Sequence, residues 1–594
     1  MKYSDYFMDV LTKQGYTHCF FVGGGNIMHL LESARTRMVC VAVVNEVSAG
    51  IAAEYFNVAN RLTKRRAFAM VTAGPGLTNI VTSIAGAWLE SRELLVIGGQ
   101  ARTNLLSDGS IRQIGHQEIN GVGIVTPITK KAVQMKIPLQ SDELVTICNL
   151  TKRGRKGPVF LEVCLDVSSM DFSGDTLTET HLQELTITEP KIKSTLIEEV
   201  VNKIKNSTRP IFLFGAGLSF DAVLRNSDRL ERIGIPIATT WNAIDYWDYS
   251  SKLYAGRPNT YGMRWANAVI QQSDLVIAVG ARLGLQQTGF NWEEFAPVGE
   301  IIQIDIDEHE LNKENPNVNL PIHTDADEFL DALIPEIDSE GFDDWTKYIQ
   351  GVRHALPVNE SANQLYDKHA NPFSIVEQLS EICTPDDLVI PCSSGGSYTS
   401  MMQSFKQHRG QLLTNNKGLA SMGYGLAGAI GSAIAFPEKR VILVEGDGGF
   451  MQNLSELGTV KVRNLNLKML IFVNKGYASI RISQRAYFNG KYLGCDAATG
   501  LGFPEWSELF NSFGIPTTVV DQSLDTQEVR DLFQVPGPAA ILVDIHEDQP
   551  FYPKVTSKIF SDGSMKSNPI HLMDPPLESI ISEKVFKFLP NDLR

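Results

Sequence analysis

The sequence predicts an α/β protein made of three consecutive doubly wound parallel-sheet domains. Along the chain, short apolar runs typical of buried strands alternate with amphipathic segments typical of helices. A chain of 594 residues is too long for one hydrophobic core and corresponds to roughly three or four domains. The runs 157–163 and 539–545 are similar and close the first and third blocks, which indicates that these blocks are related units.

Each block contains clear apolar strands, and polar stretches separate the blocks. The strands are predicted at residues 19–22, 68–71 and 94–97, at 210–214, 275–279 and 301–305, and at 441–444 and 469–473. Polar connections are predicted near residues 173–193 and 338–371. The predicted domains are therefore 1–180, 190–340 and 365–550, followed by a proline-rich, irregular tail at 551–594.

Composition and charge narrow the function classes. The chain is 43% hydrophobic and 20% charged, as soluble globular proteins are. A net charge of −15 without a basic run disfavours binding to nucleic acid or to an anionic membrane surface. The seven cysteines form no CxxC pair, and no apolar run reaches the roughly 20 residues of a membrane span. We therefore expect a cytoplasmic protein with reduced thiols and with no nucleic-acid or membrane partner.

The stretch from Gly446 to Gly476 is the most informative part of the sequence. One predicted strand leads into a glycine turn around Asp447, and the next predicted strand ends at Asn474. The carboxyl ends of parallel strands meet at one edge of a sheet, where open α/β sheets bind their ligands. A carboxylate, a side-chain amide and a free backbone carbonyl are oxygen ligands that suit Mg²⁺. The neighbouring glycines allow the backbone to approach a diphosphate closely.

A single acid stands out in the first block. Glu46 follows the predicted strand 41–44 and precedes a helical segment rich in small residues. An acid in the first turn of a helix is common, because the helix dipole favours it. In a dry site the same carboxyl group can act as a general acid or base. Taken alone, Glu46 leaves both interpretations open.

Together these segments resemble the thiamine-diphosphate-dependent enzymes, and the resemblance covers nearly the whole chain. Gly-Asp-Gly followed at a fixed gap by Asn is similar to the diphosphate-binding motif of that family. The turn from Thr72 to Asn79 resembles its pyrimidine-side turn, and segment 423–431 is similar to a helix of the acetolactate-synthase-like branch. The resemblance implies a pyrimidine-binding (PYR) domain, a central domain and a diphosphate-binding (PP) domain, in that order.

The resemblance also implies roles for individual residues. Glu46 would be the relay acid at the pyrimidine ring, and Met422 the apolar wedge that bends the cofactor into its reactive shape. Asp447, Asn474 and the carbonyl group of Gly476 would bind Mg²⁺. The residues expected to contact the cofactor are Gly24, Gly25, Thr72, Gly74, Pro75, Asn79, Ser394, Gly395, Gly396, Ser421, Met422, Gly446, Asp447, Gly448, Gly449, Asn474, Gly476 and Tyr477.

One position departs from the acetolactate-synthase pattern. That branch usually carries Phe-Gln-Glu where this chain has His116, Gln117 and Glu118. His116 would make the substrate pocket more polar, and a histidine can protonate an alkoxide near neutral pH. The alternative is a histidine in a solvent-facing loop. Together with Glu46, His116 and Gln117 are the predicted catalytic residues.

The central block has glycine turns after two predicted strands. Gly215 and Gly217 follow one strand, Arg282 follows another, and Asp305 lies at the end of a third. In the resembled family this pattern accompanies FAD, or sometimes ADP, but the same residues also occur in central domains that bind no nucleotide. Arg282 could pair with a diphosphate, and Asp305 could accept a hydrogen bond from a ribose hydroxyl. FAD, ADP and no nucleotide all stay open.

The resemblance therefore implies a carboligase that depends on thiamine diphosphate and Mg²⁺. It would decarboxylate a 2-keto acid, with pyruvate as the expected donor, and transfer the acyl carbanion to a carbonyl acceptor. The alternatives are acetyl transfer to a nucleotide ketosugar, simple decarboxylation and C–C bond hydrolysis. A catalytically silent relative is disfavoured, because the relay acid is retained. The family places its active site between two subunits, which implies a homodimer at minimum, with a homotetramer as a common assembly.

Overall fold

Three parallel sheets of six, five and six strands follow one another along the chain, which confirms the predicted α/β class. The computed structural model describes residues 1–174, 192–338, 341–560, 562 and 564–594. Most of the predicted connection 173–193 and the predicted limits at 180, 190 and 340 lie outside these residues. The domain boundaries therefore stay predictions.

The first sheet has the strand order β2-β1-β3-β4-β6-β5, and all its pairs are parallel. Its strands are β1 Tyr16–Phe21, β2 Val39–Ala42, β3 Arg66–Val71, β4 Leu94–Gln100, β5 Lys131–Met135 and β6 Pro158–Cys164. Its helices are α1 Tyr3–Lys13, α2 Met28–Arg35, α3 Glu46–Ala59, α4 Pro75–Leu89, α5 Gly121–Val125, α6 Ser141–Asn149 and α7 Leu165–Ser169. Successive residues of β3 belong to different hydrophobic cores, Ala69 to one and Met70 to the other, as expected when helices cover both faces.

The second sheet has the order β11-β10-β9-β7-β8 and is also parallel throughout. Its strands are β7 Pro210–Phe214, β8 Ile237–Thr239, β9 Leu275–Val279, β10 Glu300–Asp305 and β11 Leu320–His323. Its helices are α8 Ser194–Asn206, α9 Phe220–Ile233, α10 Arg264–Ile270, α11 Leu285–Thr288, α12 Glu308–Leu311, α13 Ala326–Leu333 and α14 Asp343–Ala355. We call this unit the central domain.

The third sheet, β13-β12-β14-β15-β17-β16, repeats the strand order of the first. Its strands are β12 Leu388–Pro391, β13 Leu412–Leu413, β14 Val441–Gly446, β15 Leu467–Val473, β16 Thr517–Val520 and β17 Ala539–Asp544. Its helices are α15 Pro372–Ile382, α16 Gly395–Ser404, α17 Tyr424–Ala435, α18 Asp447–Phe450, α19 Leu457–Val462, α20 Ala478–Phe488, α21 Trp506–Ser512 and α22 Gln527–Gln534. The shared order agrees with the prediction that the first and third blocks are related units.

The tail is more regular than the sequence predicted. It forms two short antiparallel pairs, one between β18 Lys554–Val555 and β21 Met573–Asp574, the other between β19 Ser557–Ile559 and β20 Met565–Ser567. Helix α23, Ser579–Val585, buries Val585 in the core of the central domain. The sequence did not predict these elements, because the tail is rich in proline and each element is too short to show a hydrophobic period.

The first and third domains share one hydrophobic core, built around α3 and α17. Gly428 of α17 faces the ring of Tyr55, where a Cβ atom would lie 2.5 Å from the ring. Gly431 approaches the backbone of Ala52 so closely that no side chain would fit. Small residues at these positions therefore allow the two helices to pack closely.

A buried ion pair of the first domain bonds a tyrosine of the third domain at the same interface. Arg92 donates to the carboxylate of Glu54 at 2.8 Å, and the hydroxyl of Tyr424 donates to the other oxygen of that carboxylate at 2.6 Å. Glu54 is fully buried, and its burial raises the pKa of the carboxyl group although Arg92 and Tyr424 oppose this.

No helix in the described residues is both long and apolar enough to cross a membrane.

Replacing Arg92 with Met should strongly destabilise the contact between these domains. The substitution leaves the Glu54 carboxylate buried without its cation, at a cost of about 3–5 kcal/mol. Urea denaturation followed by near-ultraviolet circular dichroism should show a lower midpoint. The matched control is Arg35→Met, which breaks the exposed 2.6 Å pair with Glu32 and should leave the midpoint unchanged. Equal midpoints for the two variants would contradict the structural role of the pair.

Candidate active site

The Gly446 to Gly476 stretch forms the carboxyl edge of two neighbouring strands, as predicted. Strands β14 and β15 pair in parallel, with Gly446 beside Phe472. Asp447 therefore begins α18 next to the point where Asn474 leaves β15. Adjacent strand ends of a parallel sheet bring together residues that are 27 positions apart in sequence.

The three predicted metal ligands meet at this edge. The side-chain amide of Asn474 lies 2.8 Å from the carbonyl oxygen of Gly476 and 3.2 Å from Oδ1 of Asp447, and its nitrogen donates to both. Turned over, the same amide would present its oxygen beside these two oxygens, which together are ligands that suit Mg²⁺.

The Asp447 carboxylate is buried and has no cationic side chain bonded to it. Its oxygens accept from the backbone N–H groups of Gly448 at 2.7 Å, Lys475 at 2.7 Å and Asn474 at 3.1 Å. Burial raises the pKa of Asp447 to about 7, although these N–H groups work in the opposite direction. A divalent cation would favour the charged form and so offset the cost of burial. Among the described residues no group of three His, Cys, Asp or Glu could hold a metal, so amide and carbonyl oxygens must complete the site.

Glycines keep the backbone around Asp447 open to a ligand. A Cβ atom on Gly448 would lie 2.5 Å from the ring of Tyr477, and one on Gly449 would lie 2.9 Å from the Glu445 carboxylate. Gly476 lies too close to the carbonyl of Cys495 for any side chain. The predicted cofactor residues of this stretch are therefore packed against one another, and glycine is required at all three positions.

Two further predicted segments lie beside this edge. The hydroxyl of Ser393 donates to the carbonyl of Ser421, which joins the segment around Ser394 to the segment around Met422. Gly395 has φ +86° and nothing near its missing side chain, whereas Gly396 packs against the ring of Phe551. Met422 is 38% exposed, which is high for a methionine that only fills a core.

Glu445 is a residue that sequence reasoning missed. Its carboxyl group is buried, and burial raises its pKa to about 8, although the nearby backbone N–H groups of Gly423 and Leu426 work in the opposite direction. It packs against Gly449 and against Gly425, between the strand that leads to Asp447 and the start of α17. The sequence feature that could have identified Glu445 is an acid at the end of an otherwise apolar strand, directly before the glycine turn.

A second group of predicted residues lies at the carboxyl edge of the first sheet. Glu46 is the first residue of α3 and is buried, and the side-chain amide of Asn79 donates to its carboxylate at 2.9 Å. Gly24 approaches Thr72 so closely that a Cβ would overlap the threonine side chain. The Thr72 hydroxyl is buried and has no hydrogen-bond partner among the described residues. A polar ligand at this edge would satisfy it.

The loop that follows β4 lies over the same edge. A Cβ atom on Gly74, which has φ +64° and precedes Pro75, would lie 2.8 Å from the carbonyl oxygen and 3.0 Å from the Cβ of Gln117. Gln117 is half-buried and has φ +59°. His116 is exposed. Gln117 is thus brought to this edge, while the placement of His116 in a substrate pocket stays a prediction. A Cβ atom on Gly25 would meet no other atom within 4 Å.

The four predicted nucleotide-site residues line one cavity of about 580 Å³. These residues are Gly215, Gly217, Arg282 and Asp305. Burial raises the pKa of Asp305. The cavity is closed by residues of the first and third domains, including Glu90, Arg155 and Lys417. Its volume is within the usual range for a small-molecule site.

Within one chain, the two groups of cofactor residues lie apart. Helices α3 and α4 both begin at the carboxyl edge of the first sheet, where Glu46 meets Asn79. Further along these helices, Glu54 bonds Tyr424 and Gly86 contacts the same tyrosine, so the Met422 segment packs there. Eight residues separate Glu46 from Glu54, which is about 12 Å of helix.

The chain was compared with protein-family models, and three of them match it in order. They are the thiamine pyrophosphate enzyme N-terminal TPP binding domain at residues 1–124, the central domain at 197–333 and the C-terminal TPP binding domain at 394–543. Together they match well over half of the chain. The protein belongs to the family of thiamine pyrophosphate (thiamine diphosphate) enzymes.

Within that family the chain is similar to acetolactate synthases over almost its whole length. It is 27% identical over 562 residues to acetolactate synthase isozyme 1 large subunit of Escherichia coli, covering 93% of this chain and 95% of that protein. It is 28% identical over 570 residues to the acetolactate synthase large subunit of Cyanidium caldarium, covering 92% and 94%. The large subunit of Corynebacterium glutamicum is 28% identical over 560 residues, covering 91% and 86%.

The residues present fit the cofactor of this family. The converging groups of Asp447, Asn474 and Gly476 supply a place for Mg²⁺, and a diphosphate oxygen would extend its coordination. At the carboxyl edge of the first sheet, the buried Glu46 carboxylate and the unpartnered Thr72 hydroxyl can form hydrogen bonds with a polar ring. The cofactor is thiamine diphosphate, and Mg²⁺ is its usual companion in the family.

Replacing Asp447 with Asn should weaken binding of thiamine diphosphate and Mg²⁺. The loss of a directly coordinating charge should cost at least about 100-fold in affinity, since removal of even an outer-shell partner costs 10–100-fold. Isothermal titration with the cofactor at fixed Mg²⁺ would measure the change.

The control is Asp544→Asn at the end of the neighbouring strand β17. There the carboxylate contacts His369 at 2.9 Å and does not face the three oxygens. Affinity should stay at the wild-type level in this control. Unchanged affinity in Asp447→Asn would remove this residue from the metal site.

Proposed function

We propose that this protein is an acetolactate-synthase-like carboligase that takes pyruvate, or a close 2-keto acid, as donor. The observation that carries the proposal is the convergence of Asp447, Asn474 and Gly476 in a chain that also retains a buried Glu46. When bound, thiamine diphosphate supplies the carbanion chemistry and the electron sink for decarboxylation. The relatives reported above are acetolactate synthases, which favours carboligation over the other outcomes that the sequence left open.

The chain's own residues would bind and orient the cofactor and would protonate the acceptor. Asp447 and Asn474 would hold Mg²⁺ and through it the diphosphate. Met422, exposed beside that site, would present an apolar surface that orients the cofactor. Glu46, held in place by Asn79, would hold or release a proton at its carboxylate for the cofactor's pyrimidine ring. His116 and Gln117 are the candidates for holding or protonating the acceptor.

We further propose that two chains form each active site. Along α3, about 12 Å of helix separates Glu46 from Glu54, which bonds Tyr424 close to Met422. That separation favours a site in which Glu46 and the Met422 segment come from different chains. A second copy of the chain can bring the carboxyl edge of its first-domain sheet to the carboxyl edge of the third-domain sheet in the other copy. The proposed assembly is therefore a homodimer, or a homotetramer made of two such dimers.

For the central cavity we propose a nucleotide, with FAD ahead of ADP. Gly215 and Gly217 lie where β7 ends, close against Gly280, and the cap residue of α9, Ser219, lines the same cavity. The backbone N–H groups of Gly215, Gly217 and Ser219 donate to Val279, Gly280 and Asp327, so Arg282, which lines the same cavity, is the group that would bind a diphosphate. Asp305 would accept from a ribose hydroxyl.

Incubation with pyruvate, thiamine diphosphate and Mg²⁺ should release CO₂ and yield acetolactate. Glu46→Gln should lower the rate by about 10²–10⁴-fold, because the relay proton is lost. Its affinity for thiamine diphosphate should be unchanged, since Glu46 lies away from the diphosphate. The matched control is Glu32→Gln, an exposed acid of the same domain that should keep the full rate.

The products discriminate between the alternatives. Acetaldehyde as the sole product would assign the protein to simple decarboxylases. A rate that rises only when a nucleotide ketosugar is added would assign it to branched-sugar formation. Full activity of Glu46→Gln would remove the relay acid from the mechanism.

Mixing two inactive variants tests the shared site. Glu46→Ala and Asp447→Ala should each be inactive alone, yet dissociated and reassembled together they should recover about a quarter of the wild-type activity. Half of the random dimers are mixed, and each mixed dimer holds one intact site and one doubly mutated site. The control mixes each variant with itself. No recovery from mixed dimers, with assembly verified by mass spectrometry, would contradict a site built from two chains.

A further inference from the structure

Two cysteines are neighbours at the outer edge of the first sheet. Cys19 of β1 and Cys40 of β2 are register partners in a parallel strand pair, and β2 is the edge strand of that sheet. Register partners on parallel strands direct their side chains to the same face, and both cysteines pack in the same hydrophobic core. Neighbouring strands lie about 4.8 Å apart, which is within the Cα separation of about 4.4–6.8 Å that a disulfide spans. The backbone therefore holds the two side chains within range of a bond.

The two thiols are hydrogen-bonded to each other. Both cysteines are free, and a side-chain hydrogen bond joins them. This bond lowers the pKa of the Cys40 thiol, and the nearby guanidinium groups of Arg35 and Arg463 lower it further, although burial works in the opposite direction. Burial and the same hydrogen bond raise the pKa of the Cys19 thiol well above its usual range. Cys40 is thus the thiol that ionises first, and Cys19 is the donor that stabilises its thiolate.

Cys40 is also the more accessible of the two thiols. It is partly exposed, whereas Cys19 is fully buried. Arg463 of the third domain donates to the backbone carbonyl of Cys40 at 3.0 Å, which keeps a positive charge beside this strand. By contrast, Cys148 of the same core is fully buried, and burial raises the pKa of its thiol to about 12. Because thiolates are the form that peroxides oxidise, oxidation should begin at Cys40 and not at Cys148.

We propose that Cys19 and Cys40 are a peroxide-reactive pair that closes to a reversible disulfide. The Cys40 thiolate attacks one oxygen of hydrogen peroxide, the O–O bond breaks, and Cys40 becomes a sulfenic acid while hydroxide leaves. The Cys19 sulfur then attacks the Cys40 sulfur and displaces the remaining oxygen as a second hydroxide. The two thiol protons convert both hydroxides to water. The peroxide gains the two electrons that the two sulfur atoms lose.

The buried partner gives this oxidation a defined end point. A sulfenic acid left alone reacts with a second peroxide to give a sulfinic acid, which thiols do not restore. Cys19 is already hydrogen-bonded to Cys40, so it reaches the oxidised sulfur first. Small thiols can then reduce the disulfide again. The bond would join the edge strand β2, which ends at Ala42 shortly before Glu46, to its neighbour β1.

The test is a peptide map of the whole protein under non-reducing conditions. Trypsin places the two cysteines in separate peptides, 14–35 and 38–61, which contain one cysteine each. The folded protein is treated with hydrogen peroxide and then with catalase, and the remaining thiols are blocked with iodoacetamide before digestion. We expect a linked peptide whose mass is two hydrogens below the sum of the two peptides. Dithiothreitol should separate it again.

Single substitutions assign the two roles. Cys40→Ala should lose the linked peptide and leave Cys19 as a free thiol. Cys19→Ala should also lose the linked peptide, but dimedone should trap its Cys40 as a sulfenic acid. Cys148→Ala is the matched control, because it removes a buried cysteine of the same core and should form the linked peptide at the wild-type level.

Two results would overturn the proposal. One is wild-type protein that keeps both thiols, or that carries Cys40 to the sulfinic acid without a linked peptide. The other is Cys19→Ala protein whose Cys40 gives no dimedone adduct. The first result comes from the wild-type chain, so it does not depend on the folding of any variant. Neither depends on the cofactor or on the proposed carboligation, which the CO₂ and product assay reports separately.

Discussion

The carboxylate of Asp447, buried at the end of a parallel strand, is the constraint on which the cofactor edge depends. Its oxygens accept from the backbone N–H groups of Asn474 and Lys475, which fixes the turn that follows β15. That turn gives Lys475 a φ of +59° and directs the Gly476 carbonyl toward the same point as the Asn474 side chain. The Asn474 amide bonds both the Gly476 carbonyl and the Asp447 carboxylate, so the three residues hold one another in place.

The contact between the first and third domains determines where the other half of the site can be. α3 and α17 pack through glycines, and the Glu54–Arg92–Tyr424 network crosses the same surface. Glu456 strengthens it, since its carboxylate accepts from the backbone N–H groups of Val44 and Asn45 at 3.0 Å each. These contacts fix the turn before Glu46 against the third domain of the same chain. The interface between the two domains therefore determines the position of the Glu46 carboxylate.

Much of the site could be predicted because its chemistry is local in sequence. Asp447 and Asn474 end strands that the apolar runs identify, and the fold brings adjacent strand ends together. Contacts between distant segments left no such signal: nothing near Glu456 indicates that it bonds a turn 411 residues away. The alternation of strand and helix predicted the parallel sheets, whereas the short tail strands showed no such pattern.

One segment of the third domain serves both the cofactor edge and the central cavity. Lys417 faces the cavity, and Met422, five residues later, lies beside the diphosphate edge. Glu90 holds the start of the segment through the N–H of Gly418, and the Asn453 amide holds its end through the carbonyl of Gly423. A segment this short and fixed at both ends has little freedom to relax. The packing of the central cavity and the packing beside Asp447 are therefore joined through seven residues of chain.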